Sequence, residues 1–189
     1  YLFLGHSHTA CAFNDELITN SWNAAESGES YFYTYQKLKP ILEQNPSIKT
    51  VFIELTNNQI SYGMNEWIWG DNYISYRLQR YSQFMELSDK GLLLVHNPPG
   101  FVNAFSLSLK SKIISIVNKS YTIWESCGGY ERLDQILNES SLQSQVHVRQ
   151  SFVDSLETVS YQNLNYLKKI IRLCHSQGKK VFLIRSPQH

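Results

Sequence analysis

The sequence predicts an α/β fold built on a parallel sheet. Apolar runs alternate with stretches of helical spacing through roughly the first sixty residues, each run ends in a small polar segment, and a long helix near the C-terminus leads into a further apolar run. Alternation of this kind requires right-handed crossovers between parallel strands.

Leu2–Leu4 is the first strand, and Thr9–Leu17 a short helical or irregular crossover. Ser21–Ala25 is a second, short strand. Over Ser30–Asn45 the residues Tyr31, Tyr35, Leu38 and Leu42 recur on one helical face, and Pro46 follows the end. Pro40 falls inside this pattern and is expected to kink or divide the helix, because proline has no N–H to donate. Ile48–Leu55 is β-branched and apolar, the pattern of a central strand.

From Ser61 to about Ser160 the rhythm breaks. Leu78–Leu87 and Asn103–Asn118 read as helices separated by a turn at Asn97-Pro-Pro-Gly100. Cys127-Gly-Gly-Tyr130 punctuates the chain again, and Leu133–Leu142 reads as a further helical turn. Ser151–Gln177 forms a long helix closed by Gly178, and Lys180–Arg185 is another strand. So long a separation exceeds what a crossover needs, which makes 61–160 a helical insertion or cap within one domain, 1–189. The chain stops at His189, directly after the last strand, where a doubly wound domain adds at least one more helix and strand. The C-terminal part of the domain is therefore expected to be missing, leaving Val181–Ile184 at an apolar edge prone to self-association.

Composition excludes several classes. Hydrophobic content of 42% and charged content of 17% are globular values, which argues against disorder. Net charge is +1 with no basic run, so a nucleic-acid partner is not expected. Cys11, Cys127 and Cys174 are odd in number and widely spaced, so they read as free thiols. Asn118-Lys-Ser120 and Asn138-Glu-Ser140 match the short glycosylation acceptor pattern. No membrane segment and no signal peptide are read in the chain. It begins at Tyr1 inside a strand, which leaves localisation open: cell envelope or extracytoplasmic if an N-terminal leader or anchor was removed, otherwise cytoplasmic. Many of the 12 Tyr and 4 Trp lie between Tyr62 and Tyr81, as core rings or as the wall of an acyl or sugar groove.

Three polar segments follow strand ends and therefore share one edge of the sheet: Gly5-His-Ser-His8, Asn23-Ala-Ala-Glu-Ser-Gly-Glu-Ser30 and Leu55-Thr-Asn-Asn58. Ser7 reads either as the N-cap of the next helix or as a nucleophile on a strand-to-helix turn. A serine, a glycine in a flexible turn and an asparagine amide are the groups acyl transfer needs. The serine attacks, and its own N–H, the glycine N–H and the amide NH₂ hold the oxyanion.

These segments resemble the first three blocks of the SGNH, or GDSL, hydrolases. The resemblance covers roughly the first sixty residues and implies a three-layer αβα sandwich with a flavodoxin-like sheet. It carries the nucleophile onto Ser7 and the oxyanion donors onto Gly28 and Asn57, with Asn58 beside them, and needs no cofactor. The implied substrate is a small-molecule or glycan O-acyl ester, cleaved by an esterase or deacetylase or passed on by an acyltransferase. His6 stands where these enzymes commonly have Asp, Leu55 replaces the glycine of the third block, and the family's late Asp-x-x-His block has no counterpart. Truncation accounts for that absence, so the triad His and Asp are expected beyond residue 189.

Other readings are weighed beside this one. His6 and His8 are two apart, but with no third ligand tied to them by sequence no metal site is expected. His8 is expected to hydrogen-bond within its turn. His189 is the one local substitute base for Ser7. His96, His147 and His175 read as surface or packing residues. Glu26 and Glu54 near strand ends could serve glycoside hydrolysis as a carboxylate pair, or Glu54 could be an inward polar residue paired with a neighbour. The alternative to an enzyme is a non-catalytic glycan-binding or structural module that keeps the fold.

Overall fold

The structure, a computed structural model, describes residues 1–118, 128–133 and 159–185. Four strands, β1 (Leu2–Leu4), β2 (Trp22–Asn23), β3 (Thr50–Glu54) and β4 (Lys180–Ile184), form one all-parallel sheet in the order β2-β1-β3-β4. Paired residues include Leu2 with Trp22, Leu2 with Val51, and Val51 with Val181. The helices are α1 (Ser7–Ala12), α2 (Tyr31–Gln44), α3 (Asn57–Ile60), α4 (Glu66–Trp69), α5 (Asp71–Tyr81), α6 (Leu87–His96), α7 (Pro98–Val117) and α8 (Tyr161–Ser176), with a 3₁₀ turn at Tyr62–Asn65.

Strand alternation gives the sheet two unlike faces. Leu2, Leu4, Val51 and Ile53 are fully buried, in one core with Leu38, Ile41 and Leu42 of α2 and Leu167, Ile170 and Cys174 of α8. The other face carries a ladder of aromatic rings, Phe3, Phe52 and Phe182, paired in register and stacked at centroid distances of 4.9 Å and 5.4 Å. Phe13, just after α1, stacks on Phe3 at 4.5 Å and closes one end of this ladder. At the other end Phe182, on the edge strand β4, is 51% exposed.

The insertion begins and ends at one point. Ser61 and Val159 form an antiparallel bridge, and the Ser160 N–H donates to Ile60 O at 2.9 Å. Ser160 also caps α8, accepting from the Asn163 N–H at 3.1 Å. The long helix expected over Ser151–Gln177 therefore has its start at Tyr161, since Val159 is already in the bridge. Residues 151–158 lie outside the described residues, as do most of Leu133–Leu142 and all of His147 and His189.

Three further expectations are corrected. α2 runs unbroken through Pro40, because its buried residues on both sides, Leu38, Ile41 and Leu42, hold the helix against the core despite one missing N–H donor. The helix expected at Leu78–Leu87 is two helices. α5 ends at Tyr81 and α6 starts at Leu87 behind a capping box, in which the Glu86 side chain accepts from the backbone N–H of Asp89 and the Asp89 side chain from that of Glu86. Asn97-Pro-Pro-Gly100 is a helix start: Asn97 Oδ1 accepts from the Gly100 N–H at 2.9 Å and the prolines fill first-turn positions that need no donor. This makes α7 twenty residues long and, by length and composition only, apolar enough to cross a membrane, which the sequence reading did not anticipate. It packs against α5.

The unequal faces predict unequal responses to substitution. Ile53→Ala should lower stability by about 2–5 kcal/mol through a cavity in the closed core. Phe182→Ser, on the open edge, should change it by about 1 kcal/mol or less. Urea unfolding of both variants checks this.

Candidate functional site

Each sequence-predicted segment follows the carboxyl end of its strand. Gly5-His-Ser-His8 leaves β1 and enters α1, Ser27-Gly28 turns after β2, and Thr56-Asn57-Asn58 leaves β3 and enters α3. Since β2, β1 and β3 are parallel neighbours, all three lie at one sheet edge. Ser7 is the first residue of α1, with His6 as the N-cap and no side-chain cap bond, so Ser7 is not the cap. Its N–H needs no intrahelical acceptor. Gly28 has φ +69°, a left-handed conformation that favours glycine. Asn57 and Asn58 are exposed in the first turn of α3.

Glu54, the last residue of β3, organises the first segment. Its carboxylate is fully buried, and Oε2 accepts from the His6 backbone N–H at 2.9 Å and from the Thr9 hydroxyl at 2.8 Å. Gly5 makes room for it. A Cβ at Gly5 would stand 2.6 Å from both Glu54 Cβ and Thr9 Oγ1 and would collide with Glu54 Oε2. The backbone oxygen of Glu54 accepts from the Tyr31 hydroxyl at 2.5 Å, and the same hydroxyl reaches Gln59 Oε1 at 2.9 Å.

Both imidazoles of the motif face this carboxylate. His6 Nε2 is 3.7 Å and His8 Nδ1 3.4 Å from Glu54 Oε1, and the two rings lie 4.7 Å apart. The other nitrogen of His6, Nδ1, is 3.2 Å from Ser7 Oγ. Burial lowers the His6 pKa below its ordinary value, opposed by Glu54 and aided by His8, so its ring is neutral at neutral pH. Sequence ties no third ligand to His6 and His8, and the fold brings Glu54 to both. Sequence spacing could not show it, since the contact spans 48 residues.

The second segment is clamped by an ion cluster. Arg77, fully buried on α5, donates through Nη2 to Ser27 O at 2.8 Å and pairs through Nη1 with Glu26 at 3.0 Å and Glu29 at 3.5 Å. Buried Lys37 of α2 pairs with Glu29 and donates to Ala24 O at 2.5 Å. Arg80 pairs with Glu26 at 2.5 Å, and the Tyr81 hydroxyl donates to Glu29 Oε1 at 2.8 Å. Glu26 is therefore committed to two guanidiniums, whereas Glu54 faces the histidines of the first segment.

Aromatic rings of the insertion join the two segments. Trp67 approaches His6 edge-on at 6.0 Å and stacks on Tyr73 at 5.5 Å. A Cβ at Gly28 would meet that same Tyr73 at 3.5 Å. A cleft of about 410 Å³ lies elsewhere, between α6 and α8, and includes none of these residues. Comparison of the chain with known protein families, curated proteins and solved structures finds no match.

Two glycines test the geometry in opposite directions. Gly5→Ala should destabilise by about 1–3 kcal/mol, because the strand end and the Glu54 carboxylate must part. Gly91→Ala, inside α6 with nothing within 4 Å of the new Cβ, should stabilise by about 0.5–1 kcal/mol. Urea unfolding reads both, and equal effects would contradict the close approach at Gly5.

Proposed function

We propose that the chain carries an SGNH-type serine acyl hydrolase or acyltransferase site on a three-layer, flavodoxin-like αβα domain, acting on an O-acyl ester such as that of a cell-surface glycan. The strand order β2-β1-β3-β4 suits such a domain, and the three polar turns at one edge suit the resemblance. The single observation that carries the reading is that Ser7 Oγ has a base at hand, a neutral His6 whose Nδ1 is 3.2 Å away and whose Nε2 faces a buried carboxylate.

In this reading Ser7 Oγ attacks the ester carbonyl carbon while its proton passes to His6 Nδ1. The ring then holds protons on both nitrogens, and Glu54 Oε1 opposes the new charge. The Ser7 and Gly28 N–H groups and the Asn57 amide hold the tetrahedral oxyanion, each contributing about 3 kcal/mol. As the ester C–O bond breaks, His6 returns the proton to the leaving alcohol oxygen. Water, or a second alcohol in a transferase, then attacks the acyl-serine and loses its proton to His6, which returns it to Ser7 Oγ as the acyl–serine C–O bond breaks. Trp67 and Tyr73 wall the acyl or sugar side.

Turnover of p-nitrophenyl acetate tests the proposal. Ser7→Ala and His6→Gln should each abolish it, and Asn57→Ala should lower kcat by about 100-fold or more with no loss of stability. A fluorophosphonate probe should label Ser7. Turnover unchanged in Ser7→Ala would remove the serine from the chemistry, and a folded chain with neither turnover nor labelling would favour a glycan-binding module.

A further inference from the structure

Glu54 divides its two oxygens unequally. Oε2 takes a backbone N–H and a hydroxyl, whereas among the described residues Oε1, equally buried, accepts no hydrogen bond, and the buried His8 Nδ1, 3.4 Å from it, has no hydrogen-bond partner. A buried carboxylate oxygen without a donor loses its water and gains nothing in return, so it calls for a positive partner. The ligand atoms of His6, His8 and Glu54 all lie within 4.8 Å of one another.

We propose that His6 Nε2, His8 Nδ1 and Glu54 Oε1 bind one divalent transition-metal cation, zinc by preference. Two imidazole nitrogens and one carboxylate oxygen suit a borderline cation, whereas magnesium and calcium favour oxygen ligands in larger number. Metal–ligand bonds of about 2.0–2.1 Å in a tetrahedron set ligand atoms about 3.3 Å apart. The two separations from Glu54 Oε1, 3.4 Å and 3.7 Å, are already close to that. The outer shell is in place, because the His6 N–H and Thr9 hydroxyl fix the carboxylate through Oε2 and Gly5 admits it. His6 and Glu54 are closed off, while the His8 side chain is 35% exposed and gives the cation an entry.

Filling this site has a consequence for Ser7, which rests on the acyl-transfer reading above. A neutral imidazole bound to a cation through Nε2 keeps its one proton on Nδ1. His6 Nδ1 then donates to Ser7 Oγ and cannot accept the serine proton. The cation and the nucleophile thus compete for one histidine, so zinc switches the serine off.

Calorimetric titration of the EDTA-treated, dialysed chain with Zn²⁺, and separately with Mg²⁺, tests the site. One zinc per chain and no magnesium uptake are expected, with Co²⁺ giving the visible absorption of a four-coordinate ion. His8→Ala should weaken zinc binding by about 100-fold or more, and Glu54→Gln should do the same if circular dichroism shows it folded. No zinc uptake by the folded chain, or uptake unchanged in His8→Ala, would overturn the metal site, even with ester turnover present. Zinc should suppress p-nitrophenyl acetate turnover over the concentration range in which it binds. Stoichiometric uptake with undiminished turnover would overturn the competition for His6. Uptake by a chain that never turns over ester would leave the metal site standing and remove the acyl-transfer reading.

Discussion

The carboxylate of Glu54 is the constraint on which the rest of this edge depends. It sits at the end of the central strand, where β3 pairs with β1 on one side and β4 on the other. By accepting from the His6 N–H and the Thr9 hydroxyl it bends the chain leaving β1 across the end of β3, fixing where α1 begins. A buried carboxylate tolerates this only if hydrogen bonds or charge replace the lost water. The strand end, the helix start and the two histidines are therefore one unit, and Gly5 is the residue whose missing side chain lets that unit close.

The insertion is bound to this unit rather than appended to it. Arg77 and Arg80 reach from α5 to the turn after β2, and Tyr81 joins them on Glu26 and Glu29. Buried ion pairs of this kind add little net stability, because desolvation offsets attraction, but removing one partner leaves a buried charge exposed to no water. Their effect here is positional, since Ala24 O and Ser27 O are both held by cations and Gly28 makes its left-handed turn directly after Ser27. On the far side, the Asn163 amide donates to Gln59 O and the Ser160 hydroxyl to Asn65 at 2.6 Å, tying α3 to α8. The segments that carry Gly28 and Asn57 are each pinned by elements that the sheet alone does not supply.

How much of this was legible in the sequence follows from the range of each interaction. The four strands and α2 are readable because their patterns are local: short apolar runs, with β-branched residues in β3 and β4, and the spacing of Tyr31, Tyr35, Leu38 and Leu42. The common edge of the three polar turns followed from parallel topology. The split between α5 and α6 was missed because its capping box uses Glu86 and Asp89, where the usual signal begins with a serine or threonine. Pro40 does not divide α2, because the burial of its neighbours outweighs one lost hydrogen bond. Glu54 reads from sequence either as half of a carboxylate pair with Glu26 or as an inward polar residue, and its partners are out of reach there, since nothing in a linear sequence pairs position 54 with positions 6, 8 and 9. His6 was read as a substitute for Asp, and its proximity to Ser7 depends on ring orientation, which spacing does not give.

That orientation sets the chemistry available to the site. His6 has two ring nitrogens, one turned to Ser7 Oγ and one to Glu54 Oε1. A neutral ring carries one proton, so the state of one nitrogen dictates what the other can do. With Nε2–H facing the carboxylate, Nδ1 is an acceptor; with Nε2 engaged as an acceptor, Nδ1 is a donor. Oε2 is committed to the backbone and Thr9, so among the described residues Oε1 is the carboxylate oxygen that faces both His6 and His8. His6 Nε2 and His8 Nδ1 thus face one buried oxygen at the end of β3, and the tautomer of His6 decides whether its Nδ1 accepts from Ser7 Oγ or donates to it.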